Sequence, residues 1–181
     1  FNTALPTDFE SSKSSFVLEP GDSDSAVMET SIGQGKTLVT PFHMALIASA
    51  IANDGVLMKP YVIDRITDAE GEVVEQYEPA EYKTLLSESD ASVLQEYMRS
   101  VVEEGTATKL KSDSYEAAGK TGSAEFSSSS DATHSWFVGY AHNGEEPDIA
   151  VAVIVENSGV GSEYAVPIAK QIFDAYYTWE N

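Results

Sequence analysis

The chain has 181 residues, of which 42% are hydrophobic, enough for one globular domain with a substantial core. Its 30 acidic and 10 basic side chains give a formal net charge of −20, which disfavours binding to nucleic acid or to an anionic membrane surface. The chain has no cysteine, which excludes disulfides and thiolate metal sites, and its three histidines show no ligand spacing. We therefore expect neither a metal nor another cofactor.

The first part of the chain predicts a loop followed by a buried helix. Residues 1–30 are rich in serine and aspartate with isolated apolar residues, and we interpret them as an extended loop lying against a body. Thr40 and Pro41 are typical of a helix cap and a first helical turn. The residues that follow are apolar on nearly every face, which predicts a buried helix that Gly55 ends.

The segment 31–111 is predicted to be a helical part that also contains a hairpin. Two short β-prone runs, Tyr61–Ile66 and Val73–Tyr77, flank a turn-forming stretch and predict a peripheral hairpin. Ser87 begins a second helix with a capping pattern, and one apolar stripe runs along that helix until Gly105.

The last part, residues 112–181, predicts three strands and a C-terminal helix. Short connections indicate antiparallel neighbours, and an unbroken apolar run in the third strand indicates cover on both faces. Apolar residues at helical spacing from Glu163 onwards predict a helix that packs on the sheet. This order predicts an α+β fold, an antiparallel sheet flanked by helices. The predicted strands are Glu116–Phe126, His134–His142 and Asp148–Asn157, and Ser127–Ser130 is interpreted as a loop that could gate a cleft.

A lysine with neighbouring glycines and hydroxyls lies inside the first of these strands. Lys120 offers a positive charge, Thr121 and Ser123 offer hydroxyls on one strand face, and Gly122 leaves the backbone bare. Together they could hold a carboxylate-bearing peptide alongside the strand. The residues alone also allow a simpler interpretation, an edge strand whose lysine and hydroxyls discourage aggregation.

Lys-Thr-Gly is one of three elements shared by penicillin-binding proteins and class A β-lactamases. The surrounding residues are more similar to a class B-like penicillin-binding transpeptidase domain, of which the chain resembles the C-terminal half. The resemblance covers roughly residues 31–178, and besides the lysine strand it is carried by Gly33–Gly35, Thr40–Ala45, Ala52–Gly55, Val101–Ala107 and His134–Tyr140.

The resemblance implies a D,D-transpeptidase at the extracytoplasmic face of a bacterial cell membrane, anchored outside this chain. Such an enzyme cross-links peptidoglycan stem peptides and is acylated by β-lactams. Lys120 would be catalytic and, with Thr121, would bind the terminal carboxylate. Ser123 would add a hydroxyl, and its main-chain N–H would form half of the oxyanion hole. Gly122 would keep the strand flat enough for the substrate to lie on it. A serine β-lactamase and a β-lactam sensor domain are the alternatives.

Two further elements that this family needs are absent from the chain. No Ser-x-x-Lys and no Ser-x-Asn sequence occurs, so we expect the nucleophile upstream of Phe1 or on another chain. Without an activated hydroxyl the chain alone is predicted to be inactive. The resemblance also implies that Ile149–Val155 exposes an apolar sheet edge. We expect a complementary N-terminal half, or a second copy, to pair there.

Overall fold

The structure is a computed structural model, and it describes residues 1–126, 133–144 and 147–179. The serine run 127–130 therefore lies outside the described residues. No helix in these ranges has the length and apolar character needed to cross a membrane. The elements, in chain order, are α1 (Asp24–Ser31), α2 (Pro41–Ala52), β1 (Val56–Met58), β2 (Arg65–Thr67), β3 (Val73–Gln76), β4 (Glu81–Thr84), α3 (Glu88–Glu103), β5 (Glu116–Glu125), β6 (Thr133–His142), β7 (Ile149–Val155) and α4 (Ala165–Trp179), with one 3-10 turn at Thr108–Leu110.

The three last strands form one antiparallel sheet in the order β5-β6-β7. Helix α4 packs on one face, where Phe137 of β6 and Phe173 of α4 are fully buried and meet edge to face. Helices α2 and α3 cover the other face, where Tyr140 packs with Ala52 and Met98. The predicted helix-and-sheet fold is thus confirmed, and β7 is covered on both faces as its apolar sequence indicated.

Both predicted helix starts are confirmed by their caps. The hydroxyl of Thr40 accepts a hydrogen bond from His43 N at 3.1 Å, so that α2 begins at Pro41. The hydroxyl of Ser87 accepts from Asp90 N at 3.2 Å at the start of α3. Helix α2 ends just before Gly55, whose φ of +88° suits glycine.

The predicted hairpin is the antiparallel pair β2 and β3, and its side chains are exposed. A second antiparallel pair, β1 with β4, was not predicted. Strand β1 has only three residues, Val56–Met58, all of them apolar, and β4 is exposed throughout, so neither gives a run of alternating apolar and polar residues long enough to predict a strand.

The expectation of an extended loop over residues 1–30 is wrong from Asp24 onwards, where α1 forms. Ser23 caps this helix by accepting from Ala26 N at 3.3 Å, and Asp24 lies in the first turn, where a negative charge is favourable. None of its residues is buried, and Met28 is 69% exposed. Because the helix has no apolar stripe facing a core, hydrophobic periodicity could not reveal it.

Candidate active site

The lysine-bearing stretch lies on β5, an edge strand of the sheet. One side of β5 pairs with β6, which sets Lys120 opposite Val138 and Gly122 opposite Trp136. No strand in the described ranges pairs with its other side. A Cβ added to Gly122 would lie 3.2 Å from Trp136 Cβ, so this glycine lets the indole lie close to the strand.

Lys120 lines two concave regions of the surface. A cavity of about 450 Å³ is lined by all four residues of the stretch 120–123, together with Gln34 and Trp136. A second, almost wholly apolar cavity of about 440 Å³ lies between α2 and α3, and Lys120 also lines it. The structure therefore brings the four sequence-predicted site residues together at one cleft.

The ammonium of Lys120 is available to a ligand. Its Nζ donates to the main-chain oxygen of Thr121 at 2.5 Å, and no carboxylate of the described residues lies within ion-pairing distance. An anionic group entering the cleft would supply the missing counter-charge.

The hydroxyls of Thr121 and Ser123 are held from the opposite face of β5. Thr121 Oγ1 lies 2.6 Å from Thr106 Oγ1. Ser123 Oγ accepts from Gly161 N at 3.3 Å and keeps its own proton for donation. A side chain at position 161 would lie 2.6 Å from Gly122 O, so the loop before α4 packs directly on the strand.

Three residues at this site were not singled out from the sequence. Thr106 and Gln34 lie in segments that carried the family resemblance, so a role there could have been suspected. Gly161 lies in an irregular loop whose sequence gives no signal, because only the tertiary structure places it against β5.

None of the three histidines lines the cavity beside Lys120 and Gly122. His134 Nδ1 accepts from Asn157 N at 3.1 Å, and its ring stacks on Phe126 at 4.2 Å between centroids. His43 on α2 has a buried Nδ1 without a hydrogen-bond partner in the described residues. Burial lowers the pKa of His43, which favours its neutral form.

Comparison with known proteins agrees with this geometry. A family model described as penicillin binding protein transpeptidase domain matches residues 1–174. Penicillin-binding protein 3 of Bacillus subtilis is 30% identical to this chain, over 97% of the chain and 26% of that protein. The peptidoglycan D,D-transpeptidase PbpA of Mycolicibacterium smegmatis is 31% identical, over 78% of the chain and 30% of that protein.

Solved structures show the same similarity. The imipenem acyl-enzyme complex of penicillin-binding protein A from M. tuberculosis has a TM-score of 0.77 and 30% identity, over 87% of this chain and 35% of that one. Penicillin-binding protein 2B of Streptococcus pneumoniae has a TM-score of 0.80 and 26% identity, over 98% of this chain and 30% of that one. The chain thus spans about a quarter to a third of the length of these proteins. It belongs to the family of penicillin-binding protein transpeptidase domains.

Proposed function

We propose that the protein containing this chain is a serine-type D,D-transpeptidase that cross-links peptidoglycan stem peptides and is acylated by β-lactams. The observation that carries the proposal is Lys120, an exposed ammonium without an ion-pair partner in the described residues, on an open strand edge in a cleft of about 450 Å³. Relatives named D,D-transpeptidases support it over the β-lactamase and sensor alternatives, and a neighbour solved as a β-lactam acyl-enzyme supports the acylation step.

The peptide substrate would lie along the free edge of β5. Its terminal carboxylate would be held by the ammonium of Lys120 and the hydroxyl of Thr121, and its main chain would pair with the strand. The N–H of Ser123 would face the carbonyl oxygen under attack and stabilise the negative charge that forms there. Gly122 leaves room for the peptide because no side chain projects from the strand at that point.

The reaction would proceed through a covalent intermediate. A serine oxygen attacks the penultimate carbonyl, its proton passes to a neighbouring base, and the peptide bond breaks with release of protonated D-alanine. The amine of a second stem peptide then attacks the ester, which forms the cross-link and frees the serine. Lys120 would take part in proton movement during these steps. A β-lactam would acylate the serine as the substrate does in the first step, and it would remain attached to that serine.

We propose that the nucleophile and its base are supplied by a complementary part of the protein. This chain contains no Ser-x-x-Lys sequence, and it would be inactive by itself. The outer edge of β7 and the apolar cavity between α2 and α3 are the surfaces that the complementary part would cover. The assembled enzyme would work at the extracytoplasmic face of the cell membrane.

Labelling with a fluorescent penicillin tests the proposal. The full-length protein should be labelled covalently on a serine outside this chain, and this chain expressed alone should not be labelled. A label on any serine of these 181 residues would contradict the assignment. Sustained hydrolysis of the antibiotic, in place of a stable adduct, would favour a β-lactamase.

A further inference from the structure

The loop between α1 and α2 directs a glutamine side chain at the lysine strand. Gln34 lies between Gly33 and Gly35, whose φ angles are +78° and +76°, a left-handed conformation that glycine adopts readily. The Gln34 N–H donates to Glu29 O at 2.9 Å, which ties the loop to the end of α1. This backbone holds the half-buried side chain of Gln34 at the wall of the cleft.

The amide of Gln34 pairs with the main chain at the free edge of β5. In the orientation that satisfies both of its atoms, its oxygen accepts from Glu125 N at 3.2 Å and its nitrogen donates to Glu125 O at 3.3 Å. Turned the other way, the nitrogen would instead face Ser123 O at 3.5 Å. In both orientations the amide lies against the outward side of the Ser123–Glu125 segment.

This pairing imitates one residue of a neighbouring strand. A carboxamide carries the same donor and acceptor as a peptide group, so it can satisfy an edge residue as a strand would. Main-chain groups of alternate residues face the same side of a strand, which makes Thr121, Ser123 and Glu125 the residues exposed along this edge. Gln34 occupies the last of these positions and leaves Ser123 open to a ligand, whereas Thr121 O already accepts from Lys120 Nζ.

We propose that Gln34 is a positioning residue that closes the β5 edge at Glu125. Closure limits a peptide ligand to the stretch that ends at Ser123, and it holds the peptide group of Ser123 in the direction needed for the oxyanion. The inference rests on the proposed transpeptidase function. It extends that function by assigning Gln34 the end of the substrate-binding edge, although Gln34 would not touch the reacting atoms.

Hydrogen exchange at the Glu125 amide tests the closure directly. In the full-length protein, Gln34→Met keeps the side-chain length but removes both hydrogen bonds, so exchange at Glu125 should rise about fivefold. Gln34→Glu keeps one acceptor and should give a smaller rise. The matched control is Gln95→Met, because Gln95 Nε2 also donates to a main-chain oxygen, that of Ile51 at 2.8 Å, but its hydrogen bonds do not go to β5.

Acylation by a fluorescent penicillin tests the positioning role. For Gln34→Met, we expect the limiting acylation rate to fall about tenfold, less than the loss of an oxyanion donor would cause. The half-saturating concentration should change little, since Lys120 is intact. Gln95→Met should match the wild type in both measurements.

Unchanged exchange at Glu125 in Gln34→Met would overturn the closure, and faster exchange with an unchanged acylation rate would overturn the positioning role. A wild-type protein that is never labelled would overturn the proposed function, and the positioning role with it. The exchange measurement would still decide whether Gln34 closes the edge.

Discussion

The two outer edges of the sheet differ in chemistry. The β5 edge carries a lysine, two hydroxyls and two glycines, and a glutamine side chain covers only its last residue. The β7 edge belongs to a run of seven apolar residues, Ile149–Val155, between α2 and α4. Neither edge pairs with another strand in the described ranges.

The difference separates an edge suited to a transient ligand from one suited to permanent cover. A polar edge with bare backbone can remain in water and still offer a ladder to a peptide. An apolar edge exposed to water invites association, so it requires a constant neighbour. The predictions below test this contrast, beginning with the largest expected effect.

Removing the charge on the β5 edge should greatly slow the capture of a ligand. In the full-length protein, Lys120→Met should lower the second-order rate of acylation by a fluorescent penicillin by about 100-fold or more, because the ligand carboxylate loses its charged partner. Lys83→Met is the matched control, since Lys83 lies exposed on β4 away from the cleft. Equal rates for Lys120→Met and the wild type would contradict the assignment of the β5 edge as the ligand-binding edge.

The glycines of β5 should divide into one that maintains packing and one that keeps the edge open. A Cβ at Gly119 would lie 2.4 Å from Phe137 Cζ in the buried core, so Gly119→Ala should cost about 3 kcal/mol of unfolding free energy. At Gly122 the nearest atom is 3.2 Å away, and Gly122→Ala should cost less than about 1 kcal/mol. Urea unfolding measures both, and a reversed order would contradict this division.

A charge on the β7 edge should weaken association with the proposed complementary part of the protein. Ile154 is half-buried in β7 opposite Trp136. When this chain and the upstream part are co-expressed as two pieces, Ile154→Lys should reduce their co-purification about tenfold, because edge lysines oppose strand pairing. Val27→Lys, on the exposed face of α1, is the control. Equal recovery of both variants would show that β7 needs no partner.

The smallest effect is expected away from both edges. Partial burial by itself raises the pKa of Asp174, but hydrogen bonds from Lys170 and Tyr115 outweigh it and hold that pKa below its usual value. Stability from this group is therefore present at neutral pH and is lost as pH falls through the lowered pKa. Because Asp174 is about half exposed, Asp174→Asn should cost less than about 1 kcal/mol. Thermal unfolding at pH 7 should detect the loss, and unfolding at pH 3 should show a smaller difference.

Much of the fold could be predicted because its signals are local. Two helix starts are indicated by a few consecutive residues, Thr40 with Pro41 and Ser87 with Asp90. The apolar runs in the last third of the chain predict strands. Helix α1 and the β1–β4 pair were not predicted, because these elements are short and bury few side chains, so no periodic pattern marks them.

For the candidate site, the sequence by itself determined which chemical groups lie on one strand, since Lys120, Thr121, Gly122 and Ser123 are consecutive. Only the tertiary structure decided what surrounds them. Gln34 lies 89 residues from Ser123 along the chain, and Gly161 lies 38 residues away, yet both contact the same strand. Such contacts depend on how separate elements pack, a property that no local pattern encodes.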